Sequence, residues 1–104
     1  MKVKRIKVEI IQNMLEIIRS RDGNIKPTQV MYKANLSYQM LSVYMSDITI
    51  KGFIVENTDK KGRRTYSITE RGNSFLIDYN VMRNFLDSYN LGEEMELSPL
   101  KNIK

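Results

Sequence analysis

The sequence predicts a mainly helical domain carrying one β-hairpin. Apolar residues recur at helical spacing up to about residue 51. The period then drops to two between residues 53 and 68, and helical spacing returns from residue 70 to 89. At 104 residues the chain fits one domain, with about 65% of its unfolded surface removed from water on folding.

The first helix is expected over residues 6–19. Ile10, Met14 and Ile17 form one stripe and Ile11, Leu15 and Ile18 the next, a wide apolar face suited to a helix packed between neighbours. Arg21-Asp22-Gly23-Asn24 ends it, with Gly23 and Asn24 both tolerant of positive φ. Pro27 suits a first helical turn, so residues 28–34 read as a short second helix. Asn35-Leu36 makes a tight turn, Ser37 caps a third helix over residues 38–51, and Gly52 closes it. Two short helices about a tight turn are a helix-turn-helix.

Phe53-Ile54-Val55-Glu56-Asn57 and Arg64-Thr65-Tyr66-Ser67-Ile68 are strand-like runs. The polar residues 58–63 join them into a hairpin whose tip carries Lys60, Lys61, Arg63 and Arg64. Helix, helix, helix, hairpin is the order of a winged helix. Thr69 then caps a fourth helix over residues 70–89, about 30 Å long. Its apolar positions Phe75, Tyr79, Met82, Leu86 and Tyr89 are spaced as a two-heptad seam, widened by Val81 and Phe85. Phe75 and Leu76 are expected to pack on the first helix. Tyr79, Met82, Leu86 and Tyr89 are left to meet a second copy. The chain divides into a basic arm (1–5), a winged helix-turn-helix (6–72), a C-terminal dimerisation helix (73–90) and a loose acidic tail (91–104).

Composition narrows the function. The absence of cysteine and histidine removes disulfides, thiolate nucleophiles, the usual general base and the commonest metal ligand. Asp22, Asp47 and Asp59 fall at element ends or on surfaces, and Glu93, Glu94 and Glu96 lie in the tail. No phosphate-binding glycine loop occurs. The expectation is a non-enzyme with no cofactor, no metal and no evident small-molecule ligand. No apolar run exceeds three residues, and Glu9 and Gln12 interrupt any leader-like core, so a cytoplasmic, nucleoid-associated protein is expected. Charge is uneven. Residues 1–71 hold 14 basic and 7 acidic side chains, and residues 72–104 hold 3 and 5. A basic body of this kind suits a polyanion.

The stretches Met31-Tyr32-Lys33-Ala34-Asn35-Leu36-Ser37-Tyr38, Lys51-Gly52-Phe53-Ile54 and Tyr66-Ser67-Ile68-Thr69-Glu70-Arg71-Gly72 resemble the small archaeal winged-helix proteins. The likeness spans residues 6–89 and is nearest to the archaeal DNA-binding type that pairs through a C-terminal antiparallel coiled coil. Archaeal viruses encode similar proteins. The resemblance implies a dimeric, sequence-tolerant DNA-binding or regulatory protein, although the fourth helix is shorter than in that pattern.

On a 100° wheel, Leu41, Tyr44, Met45 and Ile48 of the third helix face the core, while Gln39, Ser42, Val43, Ser46 and Ile50 face away. Gln39, Ser42, Val43 and Ser46 are the expected major-groove contacts: glutamine suits adenine, serine serves either role and valine suits a thymine methyl. The third helix holds no arginine or lysine before Lys51, so affinity is expected mainly from phosphates through Lys33, Lys51 and the wing residues Lys60, Lys61, Arg63 and Arg64, with Ser37 also at the DNA. Lys2, Lys4, Arg5 and Lys7 form a second basic cluster. The expected function is double-stranded DNA binding as a homodimer, in transcription regulation or nucleoid organisation. The alternatives are a winged helix used as a protein-interaction module, which Val43 and Ile50 on a wet face would suit, and binding to structured RNA.

Overall fold

The computed structural model describes residues 6–92. The expected basic arm at residues 1–5 and the tail from residue 93 onward lie outside the described residues. The elements run α1 (Lys7–Ser20), α2 (Pro27–Ala34), α3 (Tyr38–Ile50), β1 (Ile54–Thr58), β2 (Arg64–Ile68) and α4 (Glu70–Ser88). This is a winged helix: three helices, an antiparallel hairpin and a long closing helix, mainly α as the periodicity predicts.

Each boundary has a local cause. In α1, Glu9 lies in the first turn and Arg19 in the last, each matching the helix dipole. In α2, Pro27 takes the first position, where its missing N–H costs nothing, and Gln29 Oε1 accepts from the Lys26 N–H at 2.9 Å. Asn35 ends α2 in the left-handed region at φ 58°, and the Leu36 N–H bonds back to the Met31 carbonyl at 3.0 Å. Ser37 Oγ caps α3 by accepting from the Met40 N–H at 3.1 Å.

One turn differs from the sequence expectation. The positive-φ residues after α1 are Asp22 and Gly23, not Gly23 and Asn24. Ile25 is fully buried and bridges Tyr66 of β2, whose N–H donates to its carbonyl at 3.2 Å. The reversal must therefore be complete one residue earlier, so that the chain runs extended into that bridge.

Ile54 pairs with Ile68, Glu56 with Tyr66 and Thr58 with Arg64. Ile54 is buried at the root of β1, whereas Val55, Glu56 and Thr58 are exposed; in β2 Thr65 and Tyr66 are buried, so one face of the hairpin stays against the body. The core gathers Met14, Leu15 and Ile18 from α1, Val30 from α2, Ile48 from α3, Ile54 from β1 and Leu76 from α4, with Ile25 between elements. Phe75 lays its ring on Phe53, centroids 5.1 Å apart, at the start of the wing, and packs against the core cluster to which α1 contributes.

The joint between α3 and α4 is densely bonded. Thr69 Oγ1 donates to the Gly52 carbonyl at 2.6 Å and accepts from the Gly72 N–H at 3.0 Å, capping α4. The Thr69 N–H donates to the Phe53 carbonyl at 3.0 Å, and Arg71 Nε donates to the Lys51 carbonyl at 2.8 Å. A Cβ on Gly72 would lie 2.3 Å from the Phe53 carbonyl oxygen, so only glycine lets the strand pass this close.

Candidate nucleic-acid interface

The exposed face of α3 and the wing share one side of the molecule. Tyr38, Ser42, Ser46, Thr49 and Ile50 of α3 line a groove of about 430 Å3 whose far wall is Glu56, Arg64 and Tyr66 of the hairpin. A second groove of about 530 Å3 runs along the other flank of α3, between Gln39, Met40, Val43 and Ile50 and the Lys7 side chain of α1. Gln39, Ser42, Val43 and Ser46 are all exposed, and Leu41, Met45 and Ile48 face inward beneath them. Helical period alone accounts for this split. Ser37, just ahead of the helix, spends its hydroxyl oxygen on the cap.

The cations are not equivalent. At the wing tip, Asp59 organises the turn: one carboxylate oxygen accepts from the Lys61 N–H at 2.9 Å and the Arg63 N–H at 2.8 Å, and the other accepts from Arg63 Nε at 2.9 Å. The Arg63 amide, followed by burial working the other way and the Lys61 amide, leaves the Asp59 carboxyl below its ordinary pKa. Arg63 is thus folded back on its own strand connection. Arg64 is held by Tyr66 and by Glu56 at 3.4 Å, and the hydrogen bond it donates to the Tyr66 oxygen, then the Glu56 charge, push its pKa up. Lys51 reaches Asp47 at 2.8 Å, and Lys7 reaches the other oxygen of the same carboxylate at 3.1 Å. The Lys51 contact, then the Lys7 contact, depress the Asp47 pKa. Lys33, Lys60 and Lys61 carry no ion pair among the described residues and extend into solvent.

One residue of this face, Tyr38, was not singled out as a contact from sequence, and Lys7 was expected there only within the cluster of Lys2, Lys4, Arg5 and Lys7. Tyr38 is exposed at the mouth of the groove and lies near Arg64. Lys7, expected only as part of a terminal cluster, borders the α3 face. The wheel position of Tyr38, at the edge between wet and buried, was the available signal. Lys7 needed the tertiary fold.

The expected pairing residues on α4 are divided. Tyr79 is only 7% exposed and its ring stacks on Phe75 at 6.3 Å, so its own subunit already covers it. Met82 and Leu86 are half-buried and Tyr89 is exposed. The open apolar row is instead Ile77, Val81, Phe85 and Tyr89, every fourth residue, with Val81 63% and Phe85 59% exposed. Leu91 and Gly92, assigned from sequence to the tail, turn back on the end of α4. The Leu91 N–H bonds the Leu86 carbonyl at 2.7 Å, and Arg83 donates to the Gly92 carbonyl at 3.0 Å.

No helix among the described residues is long and apolar enough to cross a membrane. Residues 4–87 match the family described as winged helix-turn-helix. An uncharacterized protein of the archaeon Methanocaldococcus jannaschii is 35% identical over 69 residues, a stretch that makes up 66% of this chain and 64% of that protein. The chain thus spans less than two thirds of that relative's length. Among solved structures, Sso10a-2, a DNA-binding protein from Sulfolobus solfataricus, superposes with a TM-score of 0.65 at 24% identity, over 83% of this chain and 90% of that one. MepR, a transcription regulator of the Staphylococcus aureus multidrug efflux pump MepA, superposes with a TM-score of 0.68 at 14% identity, over 89% of this chain and 67% of that one.

Proposed function

The chain belongs to the winged helix-turn-helix family, and from that premise we propose that it binds double-stranded DNA as a homodimer, acting as a transcriptional regulator or a nucleoid-associated protein. The observation that carries this reading is the shared groove in which the exposed face of α3 and Arg64 of the wing stand opposite each other. An α-helix of that exposure fits a major groove, and a hairpin beside it reaches the flanking backbone. Gln39, Ser42, Val43 and Ser46 take the base-facing role. Lys33, Ser37, Lys51, Lys60, Lys61, Arg63 and Arg64 take phosphates, with Lys60 and Lys61 contributing most at the wing because no ion pair among the described residues holds their charge. Two neighbours of the same fold are a DNA-binding protein and a transcription regulator, which supports the reading.

Dimerisation is proposed through α4. Val81, Phe85 and Tyr89, joined by Met82 and Leu86, leave a continuous apolar strip in water, and each such side chain gains about 1.5–3 kcal/mol when covered. A two-fold axis lets one strip meet its own copy, which sets two wings on one rigid body.

Gel-shift titration of random duplex DNA at several salt concentrations tests the reading. Affinity falling steeply with salt is expected, and RNA duplexes of equal length should compete poorly. Absence of binding at low salt would reject it. A protein-interaction role is favoured by one observation only: Val43 and Ile50, both exposed, on the α3 face.

A further inference from the structure

The row of α3 that points most directly away from the core runs Gln39, Val43, Ser46, Ile50. None of the four carries a charge, and Val43 and Ile50 stand 65% and 81% exposed. Lys51, the nearest cation of the segment, bends onto Asp47 at 2.8 Å. The cations that border the row lie on its flanks, Lys7 in one groove and Arg64 in the other. The carboxylates there are already matched, Asp47 by Lys7 and Lys51 and Glu56 by Arg64. An uncharged, half-apolar ridge with one ion-paired cation on either flank suits a DNA major groove, whose floor is base edges and whose rims are phosphates.

From this arrangement we propose that Val43 and Ile50 read the 5-methyl groups of thymine, so that the chain selects A·T-rich duplex DNA. The inference rests on the DNA-binding reading above and sharpens it. Guanine presents two acceptors in the major groove, which an arginine or lysine meets best, and this ridge has neither. Thymine presents a methyl that an aliphatic side chain covers, and the adenine opposite presents the donor and acceptor that the Gln39 carboxamide matches. Ser46 satisfies either kind of edge and does not discriminate. Val43 and Ile50 are seven residues apart, about 10.5 Å along the helix. That distance spans about three base-pair steps of 3.4 Å, so the two side chains address thymines about three steps apart.

The test uses the full chain and three kinds of duplex of equal length, measured in competition at fixed salt. The first is A·T-rich, the second replaces every thymine with uracil, and the third is G·C-rich with or without 5-methylcytosine. Burying one methyl changes affinity by about fourfold. The thymine duplex should therefore bind tenfold or more tighter than the uracil duplex, and methylating cytosine should strengthen the G·C-rich duplex. Val43→Ala with Ile50→Ala, both at exposed sites, should bring the thymine-to-uracil ratio to about one. A ratio within twofold for the unaltered protein, with every duplex still bound, would overturn methyl reading while leaving DNA binding standing. That is the outcome a ridge built for a protein partner would produce. Failure of all duplexes to bind would remove both readings together.

Discussion

Asp59 grips Arg63 with both carboxylate oxygens, at 2.8 Å to the main-chain N–H and 2.9 Å to Nε. The wing tip is therefore closed by one acidic side chain, and its order depends on that side chain's ionisation. The folded pKa lies below the ordinary value of 3.8, so the stabilisation is full above that value and is lost as pH falls through the folded pKa. Amides at residues 59–63 should be protected relative to their intrinsic exchange rates at pH 5 and 7 and should lose that protection on acidification below about pH 4, before the helices lose their circular dichroism. Asp59→Ala, which removes the acceptor altogether, should lack that protection at every pH. Equal protection in the variant and the parent at pH 7 would refute the assignment.

The wing cations should separate into two classes. Lys60→Ala with Lys61→Ala removes two unpaired charges and should make the slope of log affinity against log salt shallower, by up to about 0.9 for each phosphate that is no longer neutralised. Arg63→Ala with Arg64→Ala also frees Asp59 and Glu56 to repel the backbone. That pair should lower affinity at low salt at least as far, and it should also increase exchange at the tip. If the two pairs behave identically in both measurements, the internal ion pairs have no influence on binding.

On α4, covered and open residues should respond differently. Tyr79→Ala should cost the monomer fold about 3 kcal/mol in urea denaturation, since a buried aromatic is being emptied from its own subunit. Val81→Glu with Phe85→Glu should leave folding intact, convert the protein to a monomer in sedimentation, and reduce DNA affinity tenfold or more through loss of linkage. Wild-type protein that sediments as a monomer at tens of micromolar would remove the dimer.

Gly72→Ala tests the joint. The added methyl meets the Phe53 carbonyl, and the strand must shift at a cost of about 1–3 kcal/mol. An unchanged urea midpoint would mean that the strand yields to the methyl without strain.

The order of elements was legible because each carries its own signal: two stripes on α1, Pro27 opening α2, Ser37 and Thr69 as caps, alternation in the hairpin. The inward and outward faces of α3 were legible for the same reason. The division of α4 was not. A heptad pattern assigns Tyr79, Met82, Leu86 and Tyr89 to one side, but the stack of Phe53, Phe75 and Tyr79 decides that Tyr79 is covered by its own subunit. The pairing state of the cations was half legible. Asp47–Lys51 is an ordinary helical i,i+4 pair, whereas Asp59–Arg63 has the same spacing but needs the turn to bring it together. Counting four charges at the wing tip therefore overstated how many are free to meet phosphate.

The bonds from Thr69 and Arg71 to the carbonyls of residues 51–53 make α4 a lever clamped to the end of α3. Arg71 adds its guanidinium over the Phe53 ring, 5.6 Å from the centroid. A helix of 19 residues projects about 28 Å from that clamp. A swing of about 10° at the clamp displaces its far end by about 5 Å, more than one base-pair step. In a dimer joined at α4, the angle stored in these few hydrogen bonds would set the phase between two recognition helices along the duplex. A single bond at residue 69 would then tune which spacing of half-sites the pair can straddle.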